Sequence, residues 1–319
     1  MGVAANTTIL AKGLLSWVPG VQSRFYDLHA AHGTGSPAYC YGVWIKHFTM
    51  LAANGIGAVP ASVVELGPGE SIGTGVAALL CGAERYTAID AVPHMRPEAN
   101  VAVFHELVRL LRSRAPRSRG GIPVLDPYLD ERGFPSSALP EEVLARALEP
   151  QRLRRIEHAV RSLGRTDPDA MIRYCTWSAP QPVPPGTVDL VMSHVVLQHI
   201  DDLAPVLANC ARWLRPGGWM SHQVDCTSLG TAAEWNGHRA YGELTWRMIR
   251  GRRPYFVNRQ PLSDYLSMLD TAGFEVLDVQ RGRGLGGITR SQLAPRFRAI
   301  SDDDFTTQSG FIVARRRGA

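Results

Sequence analysis

The fold is decided by the stretch Ser62-Val63-Val64-Glu65-Leu66-Gly67-Pro68-Gly69-Glu70-Ser71. Its first five residues form a short, largely apolar and β-branched run, which predicts a buried strand that stops at the glycines. The glycines at 67 and 69 predict a tight turn that a ligand can approach closely, because no Cβ stands in the way. An apolar helix is predicted from about Gly73 to Cys81, and the free amides at its N-terminus favour a polar ligand at this turn.

A second strand is predicted over Tyr86–Ile89, and it ends at Asp90. Strand, glycine turn, helix and parallel strand together make one βαβ unit. A carboxylate at the end of the second strand can accept hydrogen bonds from both hydroxyls of a ribose. The unit therefore predicts a site for a cofactor that contains a nucleoside.

The glycine spacing narrows the choice of cofactor. The dinucleotide pattern G-x-G-x-x-G would need a third glycine at position 72, which is Ile72, and Gly73 comes one place late. No lysine follows these glycines, so the phosphate-binding P-loop is excluded. Glu65, two places before the first glycine, suits a ligand with a positive ammonium and sulfonium better than one with a pyrophosphate.

Further strands and helices follow the βαβ unit along the chain. Strands are predicted at Met171–Cys175, Val188–Ser193, Trp219–Val224, Phe274–Val279 and Phe311–Ala314, and helices at Ala99–Arg112, Pro140–Leu163, Leu203–Leu214, Ala232–Ile249 and Leu262–Ala272. Helices are also predicted before the first strand, at Ile9–Trp17, Gln22–Ala31 and Tyr39–Ala53. We expect an N-terminal helical segment over 1–60 and a cofactor-binding domain over 61–319, with a helical insertion at 96–170 above the rim of the site.

Composition excludes several classes of protein. A chain of 319 residues that is 45% hydrophobic and 20% charged is typical of a packed globular protein. No apolar run approaches the ~20 residues that cross a bilayer, and the first 20 residues do not resemble a secretory signal, so we expect a cytoplasmic protein with no membrane contact. Five cysteines without a C-x-x-C pair argue against disulfides and against a zinc site.

The basic residues do not indicate a nucleic-acid partner. The net charge is +5, and Lys12 and Lys46 are the only lysines among 34 basic residues. The arginine clusters at 109–119 and 152–165 contain no aromatic residue that could stack on a base. We interpret them as solvated helix faces.

Five motifs occur in an order that resembles class I S-adenosylmethionine-dependent methyltransferases. They are Glu-Leu-Gly-Pro-Gly-Glu-Ser (65–71), Tyr-Thr-Ala-Ile-Asp (86–90), Val-Asp-Leu-Val-Met-Ser (188–193), Val-Leu-Gln-His-Ile (196–200) and Leu-Arg-Pro-Gly-Gly (214–218). The resemblance implies a Rossmann-like, doubly wound α/β sheet and S-adenosylmethionine as cofactor.

The C-terminal part is similar to a subgroup associated with sugar and natural-product O-methylation. That similarity rests on Ser-His-Gln-Val-Asp (221–225), Asn-Arg-Gln-Pro-Leu-Ser-Asp-Tyr-Leu (258–266), Ala-Gly-Phe-Glu-Val (272–276) and Ser-Asp-Asp-Asp-Phe (301–305). Ser71 departs from the family pattern, which often has a third glycine there. The insertion at 96–170 departs from it too and leaves the substrate open.

The resemblance also assigns roles to residues of the cofactor site. The backbone of the turn would lie along the methionine and ribose, Glu65 would hold the ammonium, and Asp90 would take the ribose hydroxyls. The complete set implied is Glu65, Gly67, Pro68, Gly69, Ser71, Asp90, Ala91, Val92, Thr176, Trp177, Ser193 and His194. Ala91, Val92, Thr176 and Trp177 would border the adenine, and Ser193 and His194 would lie near the methionine and the transferred methyl group.

A hydroxyl acceptor needs a group that takes its proton, and three residues on the same rim are candidates. His222 is the first candidate, oriented by Asp225, on the condition that their strand ends by about residue 224, since residues three apart on a strand point to opposite faces. His199 is the second candidate, through contact with the substrate. We predict no metal, because adjacent acids such as Asp201 and Asp202 at a helix start are usually caps.

We therefore expect a methyltransferase that acts on a hydroxyl of a small molecule, sugar or natural product. A carboxylate or amine acceptor, including one on a modified peptide, stays open at this point. A nicotinamide-dependent oxidoreductase and a binding module without catalysis are the remaining alternatives. The expected partner is a small-molecule or glycan acceptor, and the N-terminal helices could form a homodimer contact.

Overall fold

The computed structural model describes residues 7–20, 33–92, 95–116, 123–163, 170–179, 182–253 and 255–318. The helix predicted over Gln22–Ala31 lies outside these residues.

Seven strands form one sheet. They are β1 (Ser62–Leu66), β2 (Arg85–Asp90), β3 (Ile172–Thr176), β4 (Val188–His194), β5 (Leu214–Asp225), β6 (Phe274–Arg283) and β7 (Thr307–Arg316). Their order across the sheet is β3-β2-β1-β4-β5-β7-β6. The strands from β3 to β5 are parallel, whereas β7 runs antiparallel to both of its neighbours. This is the Rossmann-like α/β fold that the sequence predicts.

Ten α-helices lie in the described part of the chain. They are α1 (Thr7–Leu15), α2 (Pro37–Ala53), α3 (Gly73–Cys81), α4 (Pro97–Arg112), α5 (Glu141–Ala147), α6 (Pro150–Arg161), α7 (Ala204–Trp213), α8 (Glu243–Arg250), α9 (Leu262–Thr271) and α10 (Asp302–Thr306). None of the helices in these ranges is both long and apolar enough to cross a lipid bilayer.

The sheet separates two apolar layers. One layer packs α2, α3 and α4 against one face of the sheet, and Trp219 and Phe311 project into it. The other packs α7 and α9 against the opposite face, where Met220 and Ile312 are buried. Because side chains alternate along a strand, odd-numbered residues near the end of β5 face α2 and even-numbered ones face α7 and α9.

Helix α2 is buried in the apolar core against one face of the sheet. Its residues Trp44, Ile45, Met50 and Leu51 are all fully buried. The sequence places this helix in a separate N-terminal segment that ends at residue 60, and that division stays a prediction. The packing brings the side chains of α2 to the carboxyl end of β5, which the sequence alone does not indicate.

Several predicted elements differ from the structure. The single helix predicted over Pro140–Leu163 is two helices, α5 and α6, because Glu149, which precedes α6, has a ψ of 142°, outside the helical range. Strands β6 and β7 are longer than the predicted Phe274–Val279 and Phe311–Ala314.

The helix predicted over Ala232–Ile249 is a 3₁₀ turn at Gly237–Ala240 followed by α8, because Gly242 precedes the helix in an extended conformation. The strand predicted over Trp219–Val224 is longer at both ends and includes Asp225. The greater length of β5 changes the interpretation of His222 as the candidate base.

Candidate functional site

The glycine turn after β1 has the conformation that its sequence predicts. Gly67 and Gly69 have φ angles of +65° and +75°, a backbone region that residues with a side chain rarely adopt. A Cβ on Gly67 would lie 2.6 Å from a methyl carbon of Val196, and one on Gly69 would lie 2.6 Å from Oγ1 of Thr34. Only glycine therefore fits at either position, and Pro68 between them is buried.

The segment before α2 fastens this turn to the N-terminal part of the chain. The amide of Glu70 donates to Oγ1 of Thr34 at 3.0 Å, and Oγ of Ser71 donates to the Thr34 carbonyl at 2.9 Å. Oγ of Ser71 also accepts from the amide of Gly73 at the start of α3. Ser71, where the family pattern often has a glycine, thus ties the turn to both flanking elements.

Glu65 is a buried acid at the carboxyl end of β1. Its Oε2 accepts a hydrogen bond from the hydroxyl of Tyr86 at 2.6 Å. Burial raises the pKa of Glu65 from 4.5 to about 7, although the Tyr86 bond opposes the shift. Such a carboxyl gains most from a nearby cation, because a positive ligand would offset the cost of burying its charge.

The ends of β2 and β3 form the other side of the site. Asp90 is half-buried, pairs with Thr176 in the sheet, and accepts from the amide of Ala91 at 2.7 Å. The amide of Trp177 donates to the Asp90 carbonyl at 2.7 Å, and its indole packs edge-on against Trp213. The hydroxyl of Thr176 pairs with Ser178, and the half-buried Val92 follows Asp90 on the rim.

These residues fit an adenosyl sulfonium cofactor. The glycine turn has a conformation that only glycine fits, Glu65 offers a carboxyl for an ammonium, and Asp90 offers a carboxylate for a ribose. All three lie at the carboxyl ends of β1 and β2, where open α/β sheets bind ligands. Among the residues that the structure describes, no group of three or more His, Cys, Asp or Glu is arranged to hold a metal.

The condition for pairing His222 with Asp225 is not met. Strand β5 continues through Asp225, so the two side chains project from opposite faces of the sheet. His222 is fully buried on the α7 side, where Ser193 lies 2.7 Å from its Nδ1, and burial lowers its pKa to about 3. Asp225 instead accepts from the amide of Thr227 at 2.7 Å. The expectation that Asp225 orients His222 is therefore wrong.

His199 connects two loops of the rim. It ends a 3₁₀ turn over Leu197–His199, and its Nδ1 lies 2.9 Å from the carbonyl oxygen of Tyr255. The contact joins the end of β4 to the loop that follows α8. A contact between His199 and the substrate stays a prediction.

The structure brings His194 together with residues that the sequence does not single out as functional. His194 ends β4 on the face that carries α2, and its Nδ1 lies 3.1 Å from Nε2 of His47. Tyr39 is an exposed residue near the start of α2, and its ring contacts the His194 ring edge-on at a centroid distance of 5.9 Å. Burial, and to a smaller extent Lys46, lowers the pKa of His194 to about 3, so its imidazole is neutral at pH 7.

The backbone just after His194 is strained. Val195 has a φ of +59°, which is rare for a β-branched residue, and its amide donates to the Gln223 carbonyl at 2.8 Å. Strain of this kind collects at functional sites, where the surrounding structure holds it in place. The kink at Val195 orients His194 on one side and places Val196 against the glycine turn on the other.

A sequence signal for the α2 residues exists. Lys46 and His47 interrupt an otherwise apolar helix that is predicted to pack on a sheet, and buried polar groups need partners there. Tyr39 precedes them by about two turns and lies on the same helix face. What the sequence cannot supply is the partner strand, because that depends on how α2 lies across the sheet.

The raised pKa of Glu65 predicts how cofactor binding depends on pH. If the carboxylate holds an ammonium, binding favours its ionised form, so cofactor affinity should fall by about tenfold per pH unit below pH 7 and level off above it. Below pH 7, binding should also release close to one proton. Calorimetry with S-adenosylhomocysteine in buffers of different ionisation enthalpy measures both quantities.

Glu65→Gln is the matched control for that measurement. The amide oxygen can still accept from Tyr86, but it has no charge to titrate. The variant should bind weakly and with no pH dependence between 5.5 and 8. A wild-type affinity that stays flat through pH 7 would show that Glu65 does not contact the ammonium.

Comparison with known proteins agrees with this geometry. Residues 44–279 match a family model described as a methyltransferase domain, which covers most of the chain. The ubiquinone biosynthesis O-methyltransferase of Burkholderia pseudomallei strain 1710b is 28% identical over 141 residues, which span 42% of this chain and 53% of that protein. The matched region thus spans about half the length of the curated relatives.

Solved structures with a similar fold include an S-adenosylmethionine-dependent methyltransferase from Mesorhizobium loti. It is 17% identical, with a TM-score of 0.39, and the match covers 84% of this chain and 96% of that one. The YcgJ protein of Bacillus subtilis is 11% identical, with a TM-score of 0.43, over 86% of this chain and 99% of its own.

Proposed function

The chain belongs to the methyltransferase-domain family, whose methyl donor is S-adenosylmethionine, and on that premise we propose that it methylates a hydroxyl group. The acceptor is a small molecule, a sugar or a natural product. The site residues that we assign to the cofactor are those of the glycine turn, Glu65 and Asp90. A cytoplasmic location and a homodimer remain predictions of the sequence.

One observation supports a hydroxyl acceptor above a carboxylate. A neutral imidazole, that of His194, stands at the carboxyl end of β4, next to the turn that would hold the methionine part of the cofactor. A hydroxyl must lose a proton as it is methylated, whereas a carboxylate has none to lose. The Burkholderia relative, by its name an O-methyltransferase, is consistent with an oxygen acceptor.

Transfer of a labelled methyl group to defined acceptors tests the proposal. We expect product with at least one of a set of phenols, catechols and methyl glycosides, and none with the matched benzoates and anilines. Product with the benzoates or anilines alone would favour the alternative, a carboxylate or amine acceptor. Binding of S-adenosylhomocysteine with no transfer to any of these compounds would contradict the proposal.

A further inference from the structure

Two histidines and a serine form a chain of hydrogen bonds between α2 and the sheet. His47 is fully buried, and its Nδ1 lies 2.7 Å from Oγ of Ser221, which is buried on β5. Its Nε2 lies 3.1 Å from Nδ1 of His194. Phe311 packs against the His47 ring at a centroid distance of 4.7 Å, which fixes the plane of the ring.

Burying this arrangement costs folding free energy that an apolar side chain would not cost, which points to a function. A buried imidazole needs partners for both ring nitrogens, and an apolar side chain of similar size would need none. Here both nitrogens of His47 are satisfied, one by the serine and one by His194. Within the described ranges, the second ring nitrogen of His194, Nε2, has no protein hydrogen-bond partner. The chain of hydrogen bonds therefore ends at one atom that is available to a ligand.

We propose that His194 takes the proton of the acceptor hydroxyl, and that His47, itself held by Ser221, is the positioning residue that keeps the lone pair of His194 on Nε2. This inference rests on the proposed hydroxyl acceptor. The family resemblance places His194 near the methionine and the transferred methyl group without naming it as a base, and it assigns no role to His47 or Ser221.

A lone pair on Nε2 of His194 sets the direction of each hydrogen bond in the chain. The proposal requires Ser221 to accept from the Nδ1–H of His47, so that Nε2 of His47 is unprotonated and accepts from the Nδ1–H of His194. His194 then has its lone pair on Nε2. When Nε2 takes a proton, the Nδ1–H bond to His47 remains and stabilises the imidazolium.

The step balances in atoms and in charge. The oxygen–hydrogen bond of the acceptor breaks, its proton goes to Nε2 of His194, and an oxygen electron pair forms the bond to the methyl carbon. The carbon–sulfur bond breaks and its electron pair stays on sulfur. One positive charge leaves the sulfonium as one appears on the imidazole, so the site holds the same net charge before and after transfer.

The charged neighbours are consistent with a base that stays neutral until transfer. Burial and the nearby Lys46 lower the pKa of His194, and burial together with His194 lowers that of His47. Tyr39 faces the same imidazole from α2, and burial raises the pKa of its hydroxyl to about 12, so it adds no charge. A cationic sulfonium beside His194 would oppose protonation further, and its loss on transfer removes that opposition.

Two substitutions at one position separate the positioning role from a structural one. In His47→Asn the side-chain amide replaces Nδ1, so it can keep the bond to Ser221 but cannot reach His194. In His47→Gln the amide replaces Nε2, so it can accept from His194 and gives up Ser221. Both variants leave a similar polar group in the same buried place, and each should bind S-adenosylhomocysteine with near wild-type affinity.

Nuclear magnetic resonance of imidazole nitrogens gives a readout that does not depend on turnover. In the complex with S-adenosylhomocysteine, we expect the His194 proton on Nδ1 in the wild type and in His47→Gln, and an altered tautomer in His47→Asn. A wild-type His194 with its proton on Nε2, or one that is unchanged in His47→Asn, would overturn the positioning role. If neither variant folds, Ser221→Ala, which removes only the hydroxyl, should shift the same tautomer.

Single-turnover methyl transfer tests the base itself, with the best hydroxyl acceptor from the set above. His194→Gln should lose about 10²-fold or more in rate, and His47→Asn about tenfold, both with little change in acceptor KM; His47→Gln should stay within about threefold. Unchanged rates in His194→Gln would overturn the base role. Failure of every hydroxyl compound would contradict the proposed function, while the tautomer result would still test the positioning role.

Discussion

Gly69→Val is expected to abolish cofactor binding. The φ of +75° at this position is strained for a β-branched residue, at a cost of about 1–2 kcal/mol. The added Cβ would also lie 2.6 Å from Oγ1 and 3.1 Å from Cβ of Thr34, so the turn or the segment before α2 must move. Either movement displaces the backbone that should lie along the cofactor. We expect affinity for S-adenosylhomocysteine to fall more than about 100-fold, equivalent to about 2.7 kcal/mol.

Gly186→Val is the matched control for this substitution. Gly186 has a φ of +69°, and a Cβ there would have no neighbour within 4 Å. Both variants therefore have a similar backbone strain, but only Gly69→Val has the collision. Gly186→Val should lose stability in a thermal melt and keep its affinity in calorimetry. Equal affinities for the two variants would show that the turn does not cradle the cofactor.

The sequence predicts this turn because its structure is determined locally. The predicted strand over 62–66 and the helix over 73–81 coincide with β1 and α3. A β-branched run, two glycines and an apolar helix leave few conformations for the chain between them. The same locality explains why Asp90 is correctly placed at the end of β2.

Local sequence does not determine as well where a strand ends, and therefore which residues near its end share a face. The predicted end of β5 differs from the structure by one residue, yet that difference decides whether His222 and Asp225 can meet. The ladder with β7 carries β5 to its end, since Asp225 pairs with Ser309 from a distant part of the chain. A partner so far along the chain leaves no signal near residue 225.

The position of α2 is the other feature that local patterns do not determine. The helix itself is predicted over Tyr39–Ala53 and found at Pro37–Ala53. That His47 lies against Ser221 and His194 depends on the crossing of α2 over β4 and β5, which the helix pattern cannot specify. The cofactor half of the site is thus readable from sequence, and the half that would handle the acceptor proton is not.

Asp90→Ala should have the second largest effect on cofactor binding. A carboxylate that accepts from two ribose hydroxyls makes two hydrogen bonds to a charged group, each worth about 1.5–3 kcal/mol. Loss of both predicts at least a 100-fold drop in affinity for S-adenosylhomocysteine, measured by calorimetry. Asp90→Asn keeps one acceptor oxygen, and with it the bond from the amide of Ala91, so its loss should be intermediate.

A chemical control separates the ribose contact from any damage to the end of β2. The 2′-deoxy analogue of S-adenosylhomocysteine lacks one of the two hydroxyls, so it should bind the wild type more weakly than the natural compound. Asp90→Ala should lower the affinity for the 2′-deoxy analogue by a smaller factor than the affinity for the natural compound, because the analogue already lacks part of the interaction. If Asp90→Ala lowered the affinity for both compounds by the same factor, the substitution would not act through the ribose. It would act by disturbing the end of β2, where the amide of Trp177 donates to the Asp90 carbonyl.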